Sequence, residues 1–288
     1  MAAADPVSRR IPLPTGLTYH ALEWDAPSEH TVILLHGFLD HSWGWQPVAD
    51  AGLGGRFHLV APDMRGHGDS DRVGAGGYYY FADYLADLHE LIDLVGRERV
   101  SLVGHSMGGN IAVYYSGTFP KRVHKLALLE ALVPPHVTET NPERIASWID
   151  AWRRTRARPQ HSYATVDEAA ARLVERDARL DPALALRLAA HGTIAGADGR
   201  LRFKHDPLHL TPGPYGIRAD VARTFWARVA CPTLIMEAAE SEYGFGDSSA
   251  RRPTVEGARR EVVAAAGHML LRHQPARVAE LLADFLAP

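Results

Sequence analysis

From Leu17 to Trp24 apolar and polar residues alternate loosely, as on a half-exposed edge hairpin, and then the pattern changes: Thr31 to Leu35 reads T-V-I-L-L without a break. A strand with one wet face alternates, whereas a strand covered by helices on both faces has no position to give to water. The same buried-strand signature recurs at Phe57–Ala61, Val100–Gly104, Lys125–Leu129, Thr233–Met236 and Glu261–Ala264. Segments of helical period separate most of these runs. Tyr84, Leu88, Leu91, Ile92 and Val95 make one stripe within Tyr80–Val95, and Met107–Phe119 makes a second helix that Pro120 stops. Val278, Leu281, Leu282 and Phe285 mark a last helix over about Pro275–Leu286. Strands alternating with helices predict an α/β fold with a mainly parallel central sheet flanked by helices.

The alternation lapses from Pro134 to about Arg223, where no convincing buried strand occurs. Helix starts are nevertheless written there, at Asn141-Pro142, at Thr165-x-x-Glu168 and at Asp181-Pro182. This predicts a helical cap or lid insertion over 134–223, with 1–133 and 224–288 forming one core. The turn-rich Lys204–Gly216 segment leads back toward that core.

Composition narrows the function. The chain has 288 residues, 46% of them hydrophobic, with a formal net charge of −3 and a single cysteine, Cys231. No basic field exists to hold nucleic acid or an anionic membrane surface, so a small-molecule substrate is the expected partner. One cysteine excludes an internal disulfide framework and a cysteine-rich zinc site, and Cys231, just before a strand, reads as a small buried hydrophobe. The first residues lack the apolar stretch of a signal peptide, and no run of about 18 apolar residues occurs, so a cytoplasmic address is expected. His205 and His209 have ligand-like spacing, but Pro207 spoils a helix between them and no third ligand is evident, so no metal or other cofactor is expected.

Candidate chemistry centres on Gly104-His105-Ser106-Met107-Gly108, a G-x-S-x-G motif between the apolar run R-V-S-L-V and a helical segment. A sharp strand-to-helix turn forces Ser106 into a sparsely allowed conformation, and the flanking glycines remove the Cβ atoms that would collide. The helix N-terminus then favours an oxyanion beside Ser106, with the Met107 N–H as one donor. A serine hydroxyl needs an imidazole to take its proton. Of 16 histidines, His268 in Ala-Gly-His-Met follows the last predicted strand, which places its loop at the sheet edge that Ser106 occupies. His36-Gly37-Phe38 ends the first fully apolar strand, where the Phe38 N–H can supply a second oxyanion donor. His36 and His105 read as packing and hydrogen-bonding residues.

The base requires a carboxylate, and two compete. Glu130 directly follows the apolar K-L-A-L-L strand; Glu240 follows the later T-L-I-M strand, with Glu242 and Asp247 further along the same loop. Glu130 is favoured, because a charge at the tip of so apolar a strand is expensive unless partnered, while Glu240 sits in an acidic, water-facing loop.

These residues carry a family likeness. His-Gly-Phe-Leu-Asp at 36–40, Ala-Pro-Asp-Met-Arg-Gly-His-Gly-Asp-Ser at 61–70, Gly-His-Ser-Met-Gly-Gly-Asn at 104–110, Phe-Pro-Lys-Arg-Val at 119–123 and Gly-His at 267–268 together resemble the α/β-hydrolase superfamily. The nearest look is to the serine hydrolase-like proteins. Their pattern after the sixth strand is similar to Leu129-Glu130-Ala131-Leu132-Val133-Pro134, and haloalkane dehalogenases likewise carry their acid there, which implies Glu130. Dehalogenases and epoxide hydrolases use an aspartate nucleophile where this chain has Ser106, so an acyl-enzyme is implied instead. Ala238-Ala239-Glu240-Ser241 departs from the common glycine-then-aspartate pattern, which weakens the later acid site. Arg65, His67 and Asp69 match a structural loop of the fold and are assigned no chemistry. The expected activity is that of a serine esterase with a Ser106–His268–Glu130 triad. Lactones, thioesters or the carbon–carbon bond of a diketone are open alternatives on the same scaffold, and a ligand-binding receptor is a reading of another class. Trp148, Trp152, Trp226 and Met269, with Met107, are candidates to line an apolar acyl pocket, burial in the core being the competing reading.

Overall fold

The computed structural model describes residues 5–28, 30–131, 141–216, 218–241 and 254–288. Eight strands form one sheet in the order β1-β2-β4-β3-β5-β6-β9-β10. They are β1 (Val7–Pro12), β2 (Thr18–Trp24), β3 (Thr31–Leu35), β4 (His58–Pro62), β5 (Val100–His105), β6 (Val123–Leu129), β9 (Thr233–Ala238) and β10 (Arg259–Val263). β2 runs antiparallel to both β1 and β4, and the pairings from β4 to β10 are parallel. The loosely alternating Leu17–Trp24 segment is thus the antiparallel β2, and the first continuous apolar run begins the parallel part.

The helices are a single turn α1 (Gln46–Val48), α2 (Phe81–Leu94), α3 (Met107–Thr118), α4 (Asn141–Ala157), α5 (Val166–Arg176), α6 (Pro182–Gly192), α7 (Ala219–Trp226), α8 (Leu270–His273) and α9 (Pro275–Leu286). They cover both sheet faces. Val32 and Leu34 pack with Val278, Leu281 and Leu282 of α9, while Ile33 and Leu35 pack with Leu88 and Ile92 of α2 and Ile111 of α3. Strict alternation between two buried clusters explains why β3 has no polar position. The α3 helix is buried from Gly108 to Gly117, the expected fate of a helix that is apolar all round.

One buried polar network joins the α2 stripe to the loop after β4. Arg65 donates to Asp87 through Nε at 2.6 Å and Nη2 at 2.7 Å, and Tyr19 Oη and Thr15 Oγ1 donate to the same carboxylate at 2.5 and 2.7 Å. Arg65 therefore has the structural role its loop implied. The Cys231 thiol is pushed up to about 11 by burial, in keeping with a small packing residue.

Between β6 and β9 lie α4 to α7 and a short antiparallel hairpin, β7 (Thr193–Ala195) with β8 (Leu201–Phe203). The helix starts fall where the sequence writes them. Thr165 Oγ1 accepts the Glu168 N–H and Asp181 Oδ1 accepts the Leu184 N–H, satisfying donors that a helix start leaves orphaned. Tyr163, Ala169, Leu184 and Leu188 form a separate small apolar cluster. The expected boundary at 223/224 falls inside α7, whose Ala222 and Trp226 are buried with the α2–α3 layer. No helix among the described residues is long and apolar enough to cross a membrane.

Candidate active site

The chain leaves β3 for β4 on one side, and β5 joins β3 on the other. In open α/β sheets such a reversal opens a crevice at the carboxyl ends of the strands. Register keeps those ends level: Leu35 lies opposite Gly104, His105 opposite Leu129, and Leu129 opposite Met236. Among the described residues, the non-glycine residues with positive φ are Leu39 (60°), Ser106 (51°), Glu130 (50°) and Ala265 (52°). Each lies in the segment that follows a parallel strand. Such a conformation costs of order 1–3 kcal/mol, and it persists only where the surroundings over-determine it.

At Ser106 those surroundings are visible. Its N–H donates to Leu129 O at 2.9 Å, and its own carbonyl accepts the Asn110 N–H at 3.1 Å as the first turn of α3. A Cβ on Gly108 would stand 2.3 Å from Leu35 O, and one on Gly104 would stand 2.4 Å from Gly108 O. Any side chain there would push α3 off the sheet, so the motif's glycines are a steric requirement of the turn.

Ser106, Glu130 and His268 are brought together. His268 Nε2 lies 3.0 Å from Ser106 Oγ, and His268 Nδ1 lies 3.3 Å from Glu130 Oε2. A carboxylate only accepts, so the hydrogen of a neutral His268 sits on Nδ1 and Nε2 faces the serine hydroxyl as an acceptor. Glu130 is 2% exposed. Its Oε1 accepts the Ala238 N–H at 2.7 Å and its Oε2 accepts the Ser241 hydroxyl at 2.6 Å. The buried charge at the apolar strand tip is thereby partnered. The competing Glu240 points elsewhere, pairing with Arg179 at 2.6 Å on the surface, and its Oε atoms take no part in the Ser106–His268 cluster. Glu242 and Asp247 lie outside the described residues.

The neighbouring histidines support this cluster. His105 Nε2–H donates to the His268 carbonyl at 2.9 Å, fixing the loop that carries His268. Burial, then the nearby His268, pushes the His105 imidazole down to about 3, so it is neutral at pH 7. His36 Nε2 accepts the Met64 N–H at 2.9 Å and its Nδ1 donates to Gly37 O at 2.7 Å. His67 Nε2 accepts the Leu39 N–H at 3.3 Å and its Nδ1 donates to Arg65 O at 3.0 Å. The residue assigned to a structural loop thus holds the segment carrying Phe38. Gly37 lies against the Ser106 turn, since a Cβ there would be 2.8 Å from His105 Nδ1 and 3.4 Å from Ser106 Cβ. Met107 opens α3, and the first N–H groups of a helix have no partner within it.

Two cavities open on Ser106, one of about 380 Å³ and one of about 800 Å³, and Phe38 lines both. Met269 lines the smaller and Met107 the larger. The expectation for the tryptophans needs correction. Trp226 is 1% exposed within the α2–α3 core cluster and lines neither cavity. It faces inward because α7 lays its apolar stripe on α3. Trp148 and Trp152 stack on each other at 5.3 Å along α4 and line neither cavity, Trp148 packing edge-on against Tyr78 of the larger one. The walls that the sequence reading missed are tyrosines, and the run Tyr78-Tyr79-Tyr80-Phe81 just before α2 was their signal.

His20, Asp63 and Asp69 bring one ring nitrogen and two carboxylates within 4.8 Å of one another. Asp63 is already taken by the His20 ring at 2.7 Å and by the Ser42 and Asp69 N–H groups at 2.6 and 2.8 Å, which makes the cluster a tie between β2 and the loop after β4. His205 and His209 are not part of it.

Comparison with known proteins agrees with this architecture. The family model described as the alpha/beta hydrolase fold matches residues 30–271. A serine hydrolase-like protein of Danio rerio is 33% identical over 132 residues, 45% of this chain and 40% of that protein. The matches to the leading curated relatives cover less than half of each relative's length, from 30% to 43%. A hypothetical protein from Pseudomonas aeruginosa superposes with a TM-score of 0.85 at 25% identity, covering 99% of this chain and 100% of the other. The thioesterase domain from the curacin biosynthetic pathway superposes with a TM-score of 0.87 at 22% identity, covering 97% and 100%, a likeness of fold alone. With its family match running from before β3 to α8, the chain belongs to the α/β hydrolase fold family.

Proposed function

We propose that this protein is a serine hydrolase acting on a small carboxylic ester through an acyl-enzyme. The observation that carries the reading is the relay Ser106 Oγ, His268 Nε2, His268 Nδ1, Glu130 Oε2, with successive gaps of 3.0 and 3.3 Å. In the first step Ser106 Oγ bonds to the acyl carbon while His268 takes its proton, and Glu130 stabilises the imidazolium that results. The Phe38 and Met107 N–H groups hold the oxyanion; each such donor is worth roughly 2.7–4 kcal/mol at the transition state. His268 then returns its proton to the leaving oxygen, and water releases the acid by the same path. Thioesters and lactones would follow the same steps.

Intact mass after exposure to a fluorophosphonate tests the reading. One adduct on the wild type and none on Ser106→Ala is expected. An unmodified wild type, or a variant that is still modified, refutes it.

A further inference from the structure

This inference rests on the proposed acyl-enzyme reading and concerns what holds its base in place. His268 is gripped at more than its ring. The ring meets Glu130, the His268 carbonyl accepts the His105 ring N–H at 2.9 Å, and the N–H of the preceding Gly267 donates to His273 Nδ1 at 3.0 Å. His273 ends α8, the turn of helix that follows His268, and its side chain is 5% exposed. A ring nitrogen that accepts an N–H carries no hydrogen, so this neutral ring keeps its hydrogen on Nε2. That hydrogen faces Asp177, whose carboxylate oxygens lie 2.9 and 3.0 Å from Nε2.

Asp177 belongs to the insertion. It is the residue after α5, and its own N–H donates to Leu173 O at 3.0 Å to close that helix. The insertion also stands over Gly267, where a Cβ would meet Arg179 Nη1 at 3.4 Å. On the core side, Arg272 next to His273 pairs with the buried Asp40 at 2.5 Å, which fixes α8 independently of the insertion. His273 therefore bridges a turn anchored to the core and a segment of the insertion, and what crosses the bridge is the choice of a tautomer. A carboxylate can only accept, so Asp177 selects the Nε2–H form and leaves the Nδ1 lone pair to Gly267. Without Asp177 the ring is free to carry its hydrogen on Nδ1, where two donors would oppose each other and the Gly267 N–H would lose its acceptor. Glu130 fixes the His268 ring by the same logic, and Asp177 repeats it one step further out.

We infer that Asp177 and His273 are positioning residues for His268: through this pair the placement of the insertion fixes the peptide before the base, and with it the alignment of Nε2 on the Ser106 hydroxyl. Neither residue exchanges a proton with substrate. Both line the smaller cavity, so the test has to separate positioning from contact with substrate.

Three quantities are read on each variant: the rate of Ser106 labelling by the fluorophosphonate, kcat and KM for p-nitrophenyl acetate, and the urea midpoint. Asp177→Ala is expected to slow labelling and kcat about tenfold, part of the roughly hundredfold that a 1 Å misplacement can cost, with KM moved by less than about twofold. Asp177→Asn keeps an oxygen for the Nε2 hydrogen and should recover most of that loss. His273→Asn places an amide beside Gly267 but no longer reaches Asp177, so it should match Asp177→Ala, and the double variant Asp177→Ala with His273→Asn should be no slower than the slower single one, because both changes cut one path. Should Asp177→Ala not fold, His273→Asn carries the same expectation from the core side. A rise in KM at unchanged kcat would make the pair a substrate contact, equal losses in Asp177→Asn and Asp177→Ala would remove the hydrogen bond from the account, and losses that multiply in the double variant would mean two separate paths; each overturns the inference. A lower urea midpoint with both rates kept leaves a structural tie and overturns it as well. If Ser106 is labelled in the wild type and the variants react as fast, the positioning role alone is lost. If the wild type is not labelled, the acyl-enzyme reading fails and this role with it.

Discussion

The carboxyl edge of the sheet and the insertion between β6 and β9 are built on opposite terms. At the edge, four residues hold left-handed backbone, and buried bonds or glycine contacts surround Ser106 and Glu130. In the insertion, α4 has no buried residue, the apolar cluster is small, and many contacts are surface ion pairs such as Arg172 with Glu175 and Arg202 with Asp198. Reacting atoms need fixed positions, and only a dense core can hold a strained backbone. Substrate walls need shape more than rigidity, so they can be assembled from helices that float on the core.

Substitutions can break that comparison. Ser106→Ala should lower ester turnover by on the order of 10⁶-fold without loss of fold, as for other nucleophiles acting in a triad; burst kinetics and circular dichroism together check it. Glu130→Gln should cost about 10⁴-fold in kcat, because the amide favours the wrong His268 tautomer. Glu240→Gln, which breaks only an exposed pair with Arg179, should change the rate by less than about twofold. If the two glutamine variants lose activity equally, the edge is not the only place where the relay is fixed.

Stability should follow the same divide. Trp226→Ala, at the end of α7 that is buried with the α2–α3 layer of the core, opens a cavity under α3 and should lose about 3–5 kcal/mol in urea unfolding, whereas Trp152→Ala on α4, which has no buried residue, should lose much less. Comparable losses would mean that α4 is packed as tightly as the sheet.

Buried neutral histidines give the fold a pH dependence with a definite sign. His105 is pushed down to about 3 and His209 to about 4, in both cases by burial first. Their folded values lie below the unfolded value of about 6.5, so the stability they contribute is complete above that pH and is lost as pH falls toward the folded values. Each group accounts for up to about 1.4 kcal/mol per pH unit in that window. The Asp40 carboxyl is raised by burial but held below its usual range by Arg272 and His41, so its contribution is lost only below about pH 4. Urea midpoints should therefore begin to fall near pH 6.5, and a flat profile down to pH 5 would show that these rings are not desolvated in solution. A small effect on stability is expected at a cap: Thr165→Ala removes one acceptor from the start of α5 and should cost about 1 kcal/mol.

The same divide governed what the sequence could reveal. Unbroken apolar runs such as Thr31–Leu35 leave a strand one way to be buried, and G-x-S-x-G followed by a helix fixes a turn by local sterics, so the sheet and the position of Ser106 were legible. Glu130 was readable because a lone acid at the tip of an apolar strand demands partners, although Ser241 and the Ala238 N–H were not foreseeable as those partners. Trp226 misled because a tryptophan in a polar stretch looks the same whether its helix turns inward or outward. Neither cavity was legible, since each joins the loop after β3, Ser106 and residues of the insertion, whose meeting depends on helix placement rather than on any local pattern.

Phe38 brings the two regions into one residue. Its main-chain N–H is the proposed oxyanion donor, and the residue, 49% exposed, forms part of both cavity walls. An amide hydrogen survives every exchange of side chain except to proline. This position is therefore one where substrate range can drift, widening one compartment at the expense of the other, while the proposed oxyanion donor stays in place.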